Sequence, residues 1–178
     1  AAGQIIAGPF SDKYGRKPVL LLGAFIYSVS AFVASFSADI EFLLFFRCIQ
    51  GFGAAACLSV GRTILSDCFE RAEAAKQMSK MTAIMAIIPI LCFIFGGILA
   101  EFLGWRSNLI ALGLISLILM IFMFFILEET LIKKSENITF LNVFAVYKNL
   151  LKNSLFRCFT ITTAMQTSMF FAMNGFMP

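Results

Sequence analysis

Four stretches of this chain carry no charged residue: 19–36, 81–100, 107–127 and 159–178. A helix needs roughly 20 apolar residues to cross the hydrocarbon core of a bilayer. Inside that core each backbone N–H and C=O must be paired within the structure itself, which leaves the helix as the natural state of such runs. With 60% hydrophobic and 13% charged residues, the chain also lies outside the composition of soluble domains. The sequence therefore predicts an all-α integral membrane protein whose main partner is the lipid bilayer.

The placement of charge says more than the net value of +4. Lys13, Arg16 and Lys17 fall between the first apolar segments, and Arg71, Lys76 and Lys80 fall two connections later. Lys133, Lys134, Lys148, Lys152 and Arg157 cluster before the last run, whereas the intervening connections near 39–41 and 104–106 offer only Arg106. Basic loops stay in the cytoplasm, so the alternation predicts a multi-pass protein of the inner (plasma) membrane with these loops inside. Long basic tracts interleaved with aromatics are missing, which argues against a nucleic-acid partner. The five cysteines (Cys48, Cys57, Cys68, Cys92, Cys158) form no C-x-x-C pair and there is no histidine. A metal site, a cofactor or a disulfide framework is therefore not expected, and the cysteines read as small packing residues. The sequon Asn137-Ile138-Thr139 would be idle on the cytoplasmic side.

Between the runs the sequence predicts complete helices at about 18–37, 41–67, 80–102 and 107–127. Pro18 is suited to a first turn. Residues 68–79 form a charged, helix-forming cytoplasmic connection, and Gly104-Trp105-Arg106 an external turn with Trp105 at the interface. Residues 128–154 mix charge with short apolar patches, as an amphipathic connection would, and a last helix starts near Leu155. Residues 1–10 are apolar but lack a charged n-region or cleavage site, so they read as the end of a helix already under way, not a signal peptide. The run at 159–178 likewise reads as a helix cut at its end.

Three polar features interrupt this plan. The first is Gly8-Pro9-Phe10-Ser11-Asp12-Lys13-Tyr14-Gly15-Arg16-Lys17-Pro18, which reads as a tight hairpin. Its glycines allow the reversal, and Asp12 is a fixed charge that Arg16 and Lys17 can pair with or that lipid headgroups can replace; an ordinary basic hairpin is the alternative. The second is Arg47-Cys48-Ile49-Gln50-Gly51-Phe52-Gly53-Ala54-Ala55. An arginine within a span costs at least ~2.5 kcal/mol, so it faces a partner or a wet cavity, unless it snorkels outward. Gln50 lies one turn on, on the same face, and Gly51, Ala55 and Ser59 follow at the four-residue spacing of a close-packing seam. The third is the pair Arg62 and Asp67 at the end of that helix. In the next helix Pro89 is a possible bend, and Gly96, Gly97, Ala100 and Gly104 supply small residues for packing.

The spacing Gly8-x-x-x-Asp12-x-x-Gly15-Arg16-Lys17 resembles the signature loop of the major facilitator superfamily, with Phe10 and Ser11 replacing the usual Leu and Ala. The Arg47–Gln50–Gly51 stretch is similar to the family's R-x-x-Q-G-x-G-x-A motif. Gly104-Trp105-Arg106 and Leu127-Glu128-Glu129-Thr130-Leu131 resemble the G-W-R and P-E-T-L of the Bcr/CflA-like drug:proton antiporters, with Glu128 in place of the proline. The antiporters' Gly/Ala-Pro-x-x-Gly-Gly is altered: in Cys92-Phe93-Ile94-Phe95-Gly96-Gly97, Phe93 stands where proline is expected.

A facilitator has two six-helix halves with the substrate between them. The resemblance implies a fragment of that fold, from the end of helix 2 through helix 7. Residues 1–131 would be the N-terminal half lacking helix 1 and the start of helix 2, 132–154 the inter-domain loop, and 155–178 the first helix of the second half. It further implies a secondary active transporter, not an enzyme, that exports hydrophobic drug-like small molecules in exchange for protons by alternating access. Asp12, Arg16 and Asp67 would form the gating charge cluster. Arg47 would tune a proton-carrying acid on the family's first helix, and no uncharged span here offers a replacement carboxylate. The alternatives are a metabolite or sugar facilitator of the same superfamily, a non-transporting remnant, or a subunit completed by a second polypeptide.

Overall fold

A computed structural model describes residues 2–131 and 152–176. In the first compact unit, α1 (Ala2–Tyr14), α2 (Arg16–Ser35), α3 (Ile40–Cys68), α4 (Arg71–Leu103) and α5 (Arg106–Ile126) follow one another with very short connections. The second unit contributes α6 (Ser154–Phe176). Helices α2 to α5 are each long and apolar enough to cross a membrane, and their bounds match the four complete helices expected from sequence to within a few residues, α4 apart. The amphipathic connection and the sequon at Asn137 lie, apart from residues 152–154, outside the described residues.

Two expected loops are largely helix. The hairpin at 8–18 is broken only at Gly15, because α1 runs on through Asp12 to Tyr14 and α2 begins at Arg16. Pro18 sits in the first turn of α2, where a missing N–H costs little. The connection at 68–79 shrinks to Phe69 and Glu70, and α4 starts at Arg71 with Glu73 pairing Lys76 and Gln77 along its first turns. In a chain that must satisfy its own backbone at the membrane face, continuing the helix is the cheapest way to do so. Pro89 lies inside α4. Gly104 ends α4 with φ 80°, and its amide bonds the Ala100 carbonyl, a left-handed cap that glycine adopts without strain.

Helix α2 is the centre of the unit. It packs against α3 on one side and α5 on the other, while α1 lies mainly on α3. The α2–α3 contact is glycine on glycine. A Cβ on Gly53 would sit 2.6 Å from the Gly23 carbonyl oxygen, and one on Gly23 would meet Ala56, Cys57 and Gly53 at 3.1 Å. The α2–α5 contact is stapled by hydroxyls: Ser28 donates to the Gly113 carbonyl (2.9 Å) and Ser116 to the Ala24 carbonyl (3.2 Å). Without water to compete, these bonds and close backbone approach replace the hydrophobic drive available to soluble cores.

The expected packing residues need correction here. Nothing among the described residues lies within 4 Å of a Cβ on Gly51 or Gly97, so the seam runs through Gly53 and not through Gly51. Ala55 does pack as expected, against Gly3 of α1. Gly96 is in ordinary contact with Asn108, which donates to its carbonyl at 3.1 Å. Of the cysteines only Cys57 packs, its Sγ 3.7 Å from the Leu20 carbonyl oxygen; the other four are exposed.

Replacing Gly53 with Ala should force α2 and α3 apart. Overpacking of this kind typically costs about 1–3 kcal/mol. Thermal denaturation in detergent should show a clear loss for Gly53→Ala and none for Gly51→Ala, where the helix has open space for the methyl group and alanine is the better helix former.

Candidate functional site

At the end of the bundle where α1 turns into α2, charged groups converge on one residue. Arg16 is only 7% exposed. Its Nε donates to Asp67 Oδ2 at the end of α3 (3.0 Å), and its Nη1 donates to Asp12 and to Ser11 Oγ (2.6 Å) on α1. Ser11, fully buried, passes its own hydrogen to the Gly8 carbonyl at 2.8 Å. The expected trio of Asp12, Arg16 and Asp67 is thus brought together, and the planar guanidinium fork suits several acceptors at once. Ser11, which departs from the family's usual Ala, is an acceptor for the arginine. Arg62 is exposed and makes no ion pair among the described residues. Lys17 lays its ammonium 5.3 Å from the Phe124 ring centroid.

Sequence reasoning missed a third carboxylate here. Glu129, just beyond α5, accepts the Arg16 amide at 2.8 Å through Oε1 and the Lys17 amide at 3.3 Å through Oε2. The space it fills is that of an absent side chain. A Cβ on Gly15 would lie 2.5 Å from Glu129 Oε2, and Gly15 itself has φ 110° and ψ 156°, a region essentially reserved for glycine. The signal was present in Leu127-Glu128-Glu129-Thr130-Leu131, but no spacing rule joins position 129 to position 15.

The second feature runs along α3. Arg47 donates from Nη1 to Gln50 Oε1 at 3.0 Å, so the two form the expected polar stripe. Arg47 is exposed, whereas Gln50 is 3% exposed and its Nε2, next to the Tyr27 phenol, has no hydrogen bond within range. Arg47 also lines a cavity of about 230 Å³ with Trp105 and Asn108. A larger cavity of about 590 Å³ among α2 to α5 is lined by Leu20, Tyr27, Cys57, Met81, Met85 and Met123, among others. Among the described residues its walls hold no phenylalanine; most of the described phenylalanines are exposed instead.

Comparison with known proteins now decides the family. The Major Facilitator Superfamily model matches residues 1–178. This chain belongs to the major facilitator superfamily. It is 33% identical over 137 residues to a bicyclomycin resistance protein homolog of Haemophilus influenzae, covering 77% of this chain and 34% of that protein. It is 34% identical over 133 residues to the multidrug resistance protein MdtL of Citrobacter koseri, covering 73% and 33%. MdtL of Escherichia coli is 32% identical over 130 residues. These relatives agree with the Bcr/CflA-like resemblance. The chain spans about a third of the length of the curated relatives it matches, and it is a multi-pass membrane protein with facilitator-type helices.

The backbone at Gly15 should be intolerant of any side chain. Gly15→Ala meets both a φ penalty of about 1–3 kcal/mol and the Glu129 carboxylate, so its melting temperature in detergent should fall clearly. Gly8→Ala, in a helical position with nothing within 4 Å, should leave it nearly unchanged.

Proposed function

We propose that this chain is part of a secondary active transporter that exports hydrophobic, drug-like solutes in exchange for protons by alternating access. The observation that carries the reading is the buried Arg16 held by carboxylates from two helices, Asp12 of α1 and Asp67 of α3. An ion-pair cluster at one end of a bundle is suited to form in one state and break in another as the repeats rock. Its parts come from three places in the chain, so opening it separates whole helix ends rather than one side chain. The names of the relatives, which refer to bicyclomycin and multidrug resistance, support an exported drug-like substrate. So does the methionine-lined apolar cavity, because flexible thioethers adapt to ligands of varied shape.

In this reading the Gly15 end is cytoplasmic, in the inner membrane, since Lys13, Lys17 and Arg71 gather there and basic loops remain inside. Arg47 and Gln50 supply the polar stripe that tunes proton coupling. The remaining helices of the fold come from the rest of the polypeptide or from a second one. A specific observation favours one other reading: Phe93 occupies the position of the antiporters' proline, as a metabolite or sugar facilitator would allow.

Efflux of a hydrophobic fluorescent dye from cells making the natural polypeptide tests the proposal. Export should be abolished by a protonophore and reduced at least tenfold by Arg47→Ala. Export that survives both treatments would rule out the proton-coupled mechanism. Uptake of a sugar with no dye export would favour the facilitator.

A further inference from the structure

We infer that Glu129 is the positioning residue of the gate: it caps α2 from the far end of α5 and thereby sets where Arg16 can place its guanidinium. This rests on the gating role proposed for Asp12, Arg16 and Asp67.

The need for such a residue follows from the turn. A helix leaves its first amides without intrahelical partners, and a Ser, Thr, Asp or Asn at the N-cap normally satisfies one of them. Here the N-cap position is Gly15, and its φ of 110° with ψ of 156° excludes the side chains that could cap. The sharp break between α1 and α2 and a local cap are therefore incompatible, and the cap must come from elsewhere. Glu129 supplies it from 113 residues away, taking the Arg16 amide on Oε1 and the Lys17 amide on Oε2. A negative charge at that point is also favoured by the helix dipole. The carboxylate is itself held in place, because Oε1 accepts the Leu131 amide at 3.1 Å.

The division of labour at Arg16 is what makes this a positioning role. Asp12, Ser11 and Asp67 take the guanidinium, while Glu129 takes the main chain. A buried fork that must meet acceptors on two helices depends on the register of its own Cα. Glu129 fixes that register relative to α5, and the chain leaves α5 directly through it. Movement of the segment after α5 is thus transmitted to the gate through one carboxylate. Glu128, its neighbour, makes no hydrogen bond or ion pair among the described residues and serves as the internal control.

Hydrogen exchange with mass spectrometry on the natural polypeptide in lipid nanodiscs reads the Arg16 and Lys17 amides directly, alongside dye efflux. In Glu129→Ala these amides should exchange about tenfold faster, as expected for the loss of a hydrogen bond to a charged acceptor, and efflux should fall. Glu129→Gln keeps the shape and one carbonyl acceptor, so it should be intermediate in both readouts and covers the case in which Glu129→Ala does not fold. Glu128→Ala should change neither. Unchanged exchange in both Glu129 variants would overturn the inference. Faster exchange with full efflux in Glu129→Ala, while Asp67→Asn made separately abolishes efflux, would also overturn it, by showing a cap that does not position the gate. If Asp67→Asn and Glu129→Ala both leave efflux intact while exchange rises, the gating reading fails and the positioning role fails with it, although the cap stands.

Discussion

A buried guanidinium is expensive unless acceptors surround it, and this bundle brings three of them to one residue. Arg16 is nearly inaccessible, yet two carboxylates and a buried hydroxyl take donors from its Nε and Nη1. The guanidinium is the member of the cluster that cannot stand alone: Asp12 and Asp67 keep part of their surface exposed, but removing them leaves the buried arginine unpaired in a medium that solvates it poorly. The arrangement therefore ties three chain segments to one another. The turn between α1 and α2, the end of α3 and the exit of α5 are fixed through Arg16, its side chain or its amide. For a protein that must change shape, concentrating the tie in one residue gives a small number of bonds whose loss frees a whole end of the bundle.

The opposite end is built more loosely on the same axis. Arg106, at the start of α5, donates to the Ser37 carbonyl beyond α2 at 2.9 Å and lies 4.7 Å from the Trp105 ring centroid. Helices α2 and α5 are thus clasped at both ends, by Glu129 on one side and Arg106 on the other, with the Ser28 and Ser116 hydroxyls between. Against this pair α3 closes through glycine. Two polar clasps, two hydroxyl staples and one glycine seam join α2, α3 and α5. Helix α4 is largely exposed and, among the described residues, packs mainly against α3 and α5. The distribution matches the physics of helices in lipid, where polar bonds and backbone approach carry specificity that apolar burial cannot.

Much of this was legible in the sequence, for identifiable reasons. Uncharged runs near the bilayer's length admit little but spanning helices, so α2 and α5 appear within a few residues of where composition puts them, and α3, despite its charges, fills the apolar stretch left between two such runs. The Asp12–Arg16 contact is a neighbour relation along the chain, but Asp67 is 51 residues away from Arg16, and only resemblance to a family motif could place it there. Two stripes on α3 fit the close-packing rule, and each packs in part, Ala55 of one on α1 and Gly53 of the other on α2. Gly51, Ala55 and Ser59 repeat every four residues, and so do Gly53, Cys57 and Gly61. Spacing alone has no means to say which stripe faces α2. Ser11 was undervalued because it departs from the family pattern, and its worth depends on an arginine five residues on being buried. Glu129 was quoted for its motif, but its role depends on the backbone angle of Gly15, which sequence indicates only as a preference for glycine.

The central claim is that Arg16 and Asp67 are energetically coupled across the two helix ends. A double-mutant cycle of Arg16→Ala and Asp67→Ala, read as stability in detergent, measures this directly. A hydrogen-bonded ion pair with its arginine buried and its aspartate partly exposed predicts a coupling energy of about 0.5–3 kcal/mol, with the double variant less unstable than the sum of the singles. Additivity within about 0.5 kcal/mol, the value typical of independent sites, would contradict it.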